Sequence, residues 1–382
     1  MLTLMGYIIV SAAVGSGPAT RPASDWPIFR GNSLQTGVAV GALPDRPEVL
    51  WRFTVGDVIQ STAAIVGDAI YVGCDDGFLY ALDLRSGSLR WKFEAASAIR
   101  SSPTVHEGFV FFGDEAGVLH ALGAADGREA WTYRTGAEIV SSVNPAGDRL
   151  LFGSYDGFLY CLARGDGKLL WKFETQGRVH GTPAVSDGHV IVAGCDEHLR
   201  VVRLTDGSAV GASRMGGVSG ASAAVVGDRA YVGTFSNQVL CVDWLRGKRL
   251  WVFQNPDREF PFYASAAVAD GLVVVGGRDK NVYGLDAATG KQVWSFRTQA
   301  RVDSSPVILG DRAWVGSSDG NLYALDLRTG AERWRFATGA ALVASPAIGQ
   351  GRLVIGADDG VIYCFGERVA ERGTQPSSIE GD

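Results

Sequence analysis

The chain has 382 residues, and its 35 Lys and Arg against 41 Asp and Glu leave a net charge of -6. That balance excludes the basic footprint that nucleic-acid binding needs, and no apolar run reaches the ~18 residues of a membrane-spanning helix. Gly supplies 51 residues, about twice the usual ~7%, and with 10 Trp and 46% hydrophobic residues this is a core-forming chain that turns often.

From the N-terminus, Met1–Ala13 is apolar and uncharged, then small and polar to Thr20. Residues 1–20 read as a secretory signal peptide, with Ser11 and Ala13 as the small pair before a cut. No Lys or Arg precedes the apolar run, and a chain without a cleaved signal would remain cytoplasmic. Residues 21–47 form a lead-in segment, residues 48–366 the repeats, and residues 367–382 a polar, disordered tail.

Trp residues at 51, 91, 131, 171, 251, 294 and 334 are spaced by 40, 40, 40, 80, 43 and 40. The slot missing from the 80-residue gap is Gly211. A 40-residue period of short alternating runs predicts an all-β chain, one four-stranded propeller blade per repeat. In one repeat the strands fall at Ser101–Val105, Phe109–Gly113, Val118–Leu122 and Glu129–Tyr133, here lettered A to D, with Gly and Asp at the turns. Strand A is expected to start at Gln60, Arg100, Val140, His180, Gly220, Tyr263, Asp303 and Val343. Eight starts and eight Trp slots give an eight-bladed ring of antiparallel blades. The last strand C, Val361–Phe365, has no strand D after it. Val49–Phe53, carrying Trp51, therefore completes that C-terminal blade and closes the ring.

The motif Ala324-x-Asp326-x-x-Thr329-Gly330-x-x-x-Trp334, matched by Ala81-x-Asp83…Gly87…Trp91 and Gly284-x-Asp286-x-x-Thr289-Gly290…Trp294, resembles the tryptophan-docking motif of quinoprotein-type (PQQ-like) propeller repeats. Asp25-Trp26-Pro27-Ile28-Phe29-Arg30-Gly31-Asn32 resembles the lead-in of bacterial stand-alone members. The resemblance implies one of two functions. One is a cofactor-free scaffold like the BamB-like outer-membrane assembly propellers, which is periplasmic or otherwise exported and binds protein partners as a monomeric ring. The other is a dehydrogenase using pyrroloquinoline quinone (PQQ) with Ca2+. The seven Trp are expected to pack between blades, since a large ring buries ~150–250 Å². The motif Asp is expected to accept hydrogen bonds from turn backbone.

The dehydrogenases of this family carry a disulfide between adjacent cysteines, and Ca2+ ligands and a catalytic Asp on long insertions. Here no two of the five Cys are adjacent. Cys161, Cys241 and Cys364 occupy the small Ala slot, and Cys74 and Cys195 lie near B–C turns three blades apart, so all five are expected to be free. The regular spacing leaves only three extra residues, around Asn255–Tyr263. Neither a catalytic residue nor a metal or cofactor ligand is therefore assigned. The Asp-Gly pairs fit type I′ turns rather than Ca2+ loops. The recurring Ser-Ser pairs mark the start of strand A, not a nucleophile. His180, His189 and His198 fall in different strands and turns.

The D–A loops and B–C turns leave the ring on one face. Around it, equivalent slots carry unlike groups: Gln60, Arg100, Glu138, Arg178, His180, Arg301 and Asp303. Unlike residues at one position of a rigid ring are what a binding mouth would show, although exposed loop ends also vary without meaning. Phe262 and Tyr263 in the lengthened loop, with Arg278 and Lys280 on the turn beside it, add the aromatic and cationic composition of a partner anchor. The expected binding face is thus Gln60, Arg100, Glu138, Arg178, His180, Phe262, Tyr263, Arg278, Lys280, Arg301 and Asp303, centred on blades 6 and 7.

Overall fold

A computed structural model describes residues 24–368; the signal segment and the tail beyond Arg368 lie outside them. Every regular element among the described residues is a β-strand, and the strands form eight four-stranded sheets. Blade 1 shows the plan: Ala64–Val66 (A), Ala69–Gly73 (B), Phe78–Asp83 (C) and Leu89–Glu94 (D), all antiparallel. Strands B and C are buried along nearly their whole length, because neighbouring blades cover both faces. Strand D alternates exposed and half-buried positions. This is why the middle strands read as continuous apolar runs and the outer ones carry charge. The core is accordingly made between blades. Tyr71, Leu79 and Ala81 of blade 1, for example, pack with Val110, Phe112 and Leu122 of blade 2.

The ring closes through the N-terminal strand. Glu48–Thr54 pairs antiparallel with Val361–Gly366, with Trp51 opposite Cys364, and completes blade 8. All five cysteines are free, and Cys161, Cys241 and Cys364 are fully buried in their Ala slots, where burial pushes each thiol pKa up.

Strand A differs from its expected start. The paired stretch begins four residues later, at Ala64, Thr104, Asn144, Ala184, Ala224, Ala267, Val307 and Ala347, and is three residues long. Pro103, Pro183, Pro306 and Pro346 stand immediately before it in four blades, and proline has no N–H to offer a strand ladder. The residue before that position gives its N–H to the next blade instead. Thr62, Ser102, Ser142, Thr182, Ser222, Ser265 and Ser305 each donate to the hydroxyl of the following member of the series, which Ser345 ends, at 2.8–3.1 Å.

A second belt joins the blades at their periphery. Trp51, Trp91, Trp131, Trp171, Trp251 and Trp294 each donate Nε1–H to a carbonyl of the next blade at 2.9–3.2 Å. Each lies flat on that blade's turn glycine: a Cβ on Gly330, at φ +71°, would sit 2.5 Å from Trp294. The motif Asp shapes the turn, as Asp326 Oδ1 accepts the N–H groups of Arg328 and Thr329. Trp334 also packs between blades as expected, against Trp314 and Phe336 of blade 7 and Phe365 of blade 8, but outside the hydrogen-bonded belt. Its next blade is closed by strand Glu48–Thr54 from the other end of the chain. Blade 4 has Gly211 in the Trp slot. At that interface Trp244 of blade 5 is 3% exposed and packs on His189 of blade 4. The large ring is supplied from the opposite wall.

The lead-in crosses the axis of the ring. Backbone hydrogen bonds tie Trp26 to Ile65, Pro27 to Val105, Ser33 to Val185, Leu34 to Val225, Thr36 to Val268, Gly37 to Ile308 and Ser24 to Gln350. Asn144 Nδ2 donates to the Ser33 carbonyl as well. All eight blades are thereby touched, and the inner edges of their A strands find partners they would otherwise lack.

Candidate functional site

The D–A loops and B–C turns surround a cavity of about 340 Å³ on the axis of the ring. Its depth is set by the lead-in, because Phe29 reaches the cavity from the far side. Two concentric sets of side chains line the wall. The deeper set is the hydroxyl series Thr62, Ser102, Ser142, Thr182, Ser222, Ser265, Ser305 and Ser345. The outer set, two residues earlier in each blade, is Gln60, Arg100, Val140, His180, Gly220, Tyr263, Asp303 and Val343. Glu115, Glu138 and Tyr155 join them from neighbouring loops and turns.

One side of the mouth is aromatic. Tyr155 Oη lies 2.5 Å from His180 Nδ1, and Tyr263 Oη lies 3.3 Å from Nε2. Tyr263 reaches His180 over bare Gly220, where a Cβ would meet Phe235 at 2.9 Å. Phe235 stacks on Tyr263 at 5.4 Å. Burial lowers the His180 pKa to about 4, so the imidazole is neutral at pH 7 and offers its two hydroxyl neighbours one donor and one acceptor. Burial also raises the hydroxyl pKa of both tyrosines.

The other side is ionic. Arg100 binds Asp75 at 3.1 Å and Glu115 at 2.6 Å, and Gln60 donates to the same Asp75. Arg278 grips Asp303 through two nitrogens, at 2.7 and 3.1 Å, while lying 4.7 Å from the Tyr263 ring centre. That carboxylate raises the Arg278 pKa. Arg301 adds a third contact to Asp303 at 3.1 Å. Glu138 lines the cavity without an ion pair among the described residues.

Of the residues expected on the binding face, Gln60, Arg100, Glu138, His180, Tyr263 and Asp303 line the cavity. Arg178 lies over the Tyr155 ring at 5.0 Å, and Arg278 and Arg301 hold Asp303 from the rim. Two do not belong there. Phe262 is 1% exposed and fills the core between blades 5 and 6, because it takes the apolar slot of Ile59 and Ile99 and turns inward. Lys280 is exposed on a B–C turn at φ +73°, the position where Gly77 stands in blade 1, and does not line the cavity. Phe260 of the same lengthened loop is 46% exposed. Sequence reasoning missed Glu115, Tyr155 and Phe235, which recur at one B–C turn slot with Asp75 and Arg278, and Phe29 of the lead-in, which no repeat flags. The hydroxyl series was visible as a 40-residue recurrence but was read as a strand start.

The residues present do not fit PQQ with Ca2+. PQQ is a flat tricarboxylate, yet the lining cation Arg100 is already held by two carboxylates, Glu138 adds negative charge, and the Tyr263 ring carries Phe235 and Arg278. Among the described residues no group of three or more His, Cys, Asp or Glu is disposed to hold a metal.

The family model described as outer membrane protein assembly factor BamB matches residues 39–147, 139–254 and 246–372. The chain belongs to this family. Similar solved structures include BamB from Moraxella catarrhalis, at 19% identity and TM-score 0.72, covering 84% of this chain and 100% of that one. A europium-containing methanol dehydrogenase aligns at 14% identity and TM-score 0.76, over 90% and 98% of the two chains. The quinohemoprotein alcohol dehydrogenase from Comamonas testosteroni aligns at 13% and 0.77, over 94% and 83%. At these identities the structures show a shared fold and nothing more. No curated protein sequence matches the chain. It is a PQQ-like, BamB-like β-propeller, and no helix among the described residues is long and apolar enough to cross a membrane.

Proposed function

We propose that this propeller is a non-catalytic scaffold of outer-membrane protein assembly, exported to the periplasm, and that it works without a cofactor as a monomeric ring. The observation that carries the reading is the family match, which runs through all eight blades and names an assembly factor. The mouth supports it. Its polar groups are largely spent on one another, as in Arg278–Asp303–Arg301 and Asp75–Arg100–Glu115. That leaves a rigid, charged and aromatic surface rather than a free nucleophile or base.

The partner surface is the side of blades 6 and 7, where Tyr263 and Arg278 lie beside the exposed Phe260. Tyr and Arg are over-represented among interface hot spots. The test is affinity capture with the tagged full chain from envelope membranes of its own cell. Recovery of a component of the β-barrel assembly machinery is the expected result. Alcohol or sugar oxidation with PQQ, Ca2+ and an artificial electron acceptor, above a heat-killed control and lost without PQQ, would overturn the reading.

A further inference from the structure

We propose that the hydroxyl ring at the bottom of the mouth binds a small oxoanion, with a monovalent carboxylate as its best occupant. Seven of the eight hydroxyl oxygens accept an N–H from the preceding blade. An oxygen that accepts on one side turns its own proton elsewhere. None of the eight protons has a protein acceptor among the described residues, although these side chains are only 2–6% exposed. All eight line the same cavity, so each proton is free to turn toward the axis. A circle of oxygens each held by an N–H, whose protons can all turn inward, favours negative charge.

A second observation points the same way. The Arg30 guanidinium is 1% exposed and forms no ion pair with a described carboxylate. Its Nη2 donates to the carbonyl of Ala266, the residue after ring member Ser265. Its Nε and Nη1 are buried without a protein partner. A buried cation is therefore bonded to the residue after a ring member and lies 5.9 Å from the ring centre of Phe29, where low dielectric lengthens its reach. The lip limits the ligand's charge. Arginines neutralise Asp303 and Glu115, but no cation among the described residues pairs with Glu138, which repels a dianion more than a monoanion. Because Phe29 closes the far side, the ligand enters head first from the mouth. A free carboxylate and the C-terminal carboxylate of a peptide present the same head. The site stands whether or not the assembly reading holds.

The test uses the purified full chain, melted in acetate against equal chloride, with calorimetric titration beside it. Acetate at roughly a hundredfold excess over its Kd is expected to raise the Tm by about 2–4 °C, and phosphate at pH 8 to raise it less. A Ser222→Ala/Ser305→Ala double variant melts lower on its own, so its acetate-dependent shift is the readout, and at least half of it is expected to vanish. Ser142→Thr is expected to keep the shift, since Thr serves at positions 62 and 182. Binding of a short peptide acid but not its amide makes a chain terminus one source of the head group; acetate binding with neither peptide bound makes the free anion the source. Absence of an acetate-dependent shift in the wild-type chain, or an equal shift in the double variant, overturns the site.

Discussion

The outer belt and the mouth are built from the same repeat, yet one is nearly uniform and the other holds seven residue types in eight blades. Six Trp make the same hydrogen bond to the next blade, at 2.9–3.2 Å. The mouth slot holds Gln60, Arg100, Val140, His180, Gly220, Tyr263, Asp303 and Val343. The contrast survives over a separation of two residues, because the hydroxyls just inside that slot are again uniform. A side chain that bridges two blades is constrained from both sides, and repeat proteins depend on such interface contacts. A side chain that faces only the cavity is free to differ. Uniformity here reports blade-to-blade bonding, and divergence marks positions free of that bonding. The blade 4–5 interface fits the same rule, since Trp244 replaces in volume what Gly211 gives up.

The largest expected effect comes from breaking closure. Removing residues 1–56 takes away the strand Glu48–Thr54 and the lead-in, and leaves blade 8 with three strands and an open edge. The truncated chain is expected to aggregate; size-exclusion chromatography showing a soluble monomer with the full-length Tm would refute the closing role. Next comes the belt. Trp294 is 6% exposed and spans two blades, so Trp294→Ala is expected to destabilise the ring by about 3–5 kcal/mol. Chemical denaturation reads this directly, and a loss under ~1 kcal/mol would move the belt out of the structural role.

A smaller effect belongs to the mouth and depends on pH. His180 titrates near 4 in the fold, against ~6.5 for a free imidazole. Between those values the unfolded chain binds the proton and the folded one does not, so stability falls as pH drops from 6.5 toward 4, by at most about 1.4 kcal/mol per pH unit. Above pH 6.5 this contribution is flat. His180→Gln is expected to shrink the acid limb of the Tm-versus-pH curve; an unchanged limb would show that other groups set it.

Most of the ring was legible in the sequence because blade contacts repeat and repetition is visible. The Trp period, the Asp-Gly turns and the unpaired last strand C led to eight blades and their closure. Strand A was misjudged because its first residues bond to the next blade and not within their own. Lys280 was placed on the binding face as a cation on the turn beside Arg278, but sharing a turn does not decide which side chains line the cavity. Phe262 was placed there for its aromatic area in the lengthened loop, although its slot is the apolar one of Ile59 and Ile99. Tyr155 was missed although its turn slot recurs with Asp75, Glu115 and Arg278, because unlike residues there hide the period, and Phe29 because the lead-in has no repeat.

The central claim is that the belt holds the ring together while the mouth engages the partner. The most direct measurement pairs binding with stability in one variant, Tyr263→Ala/Arg278→Ala. Both residues sit on the mouth and neither belongs to the Trp belt. The expected result is partner capture reduced at least tenfold, as truncating a hot-spot residue typically costs ~2 kcal/mol or more, with the Tm within about 2 °C of wild type. Capture at the wild-type level, or capture lost only together with the fold, would contradict the claim.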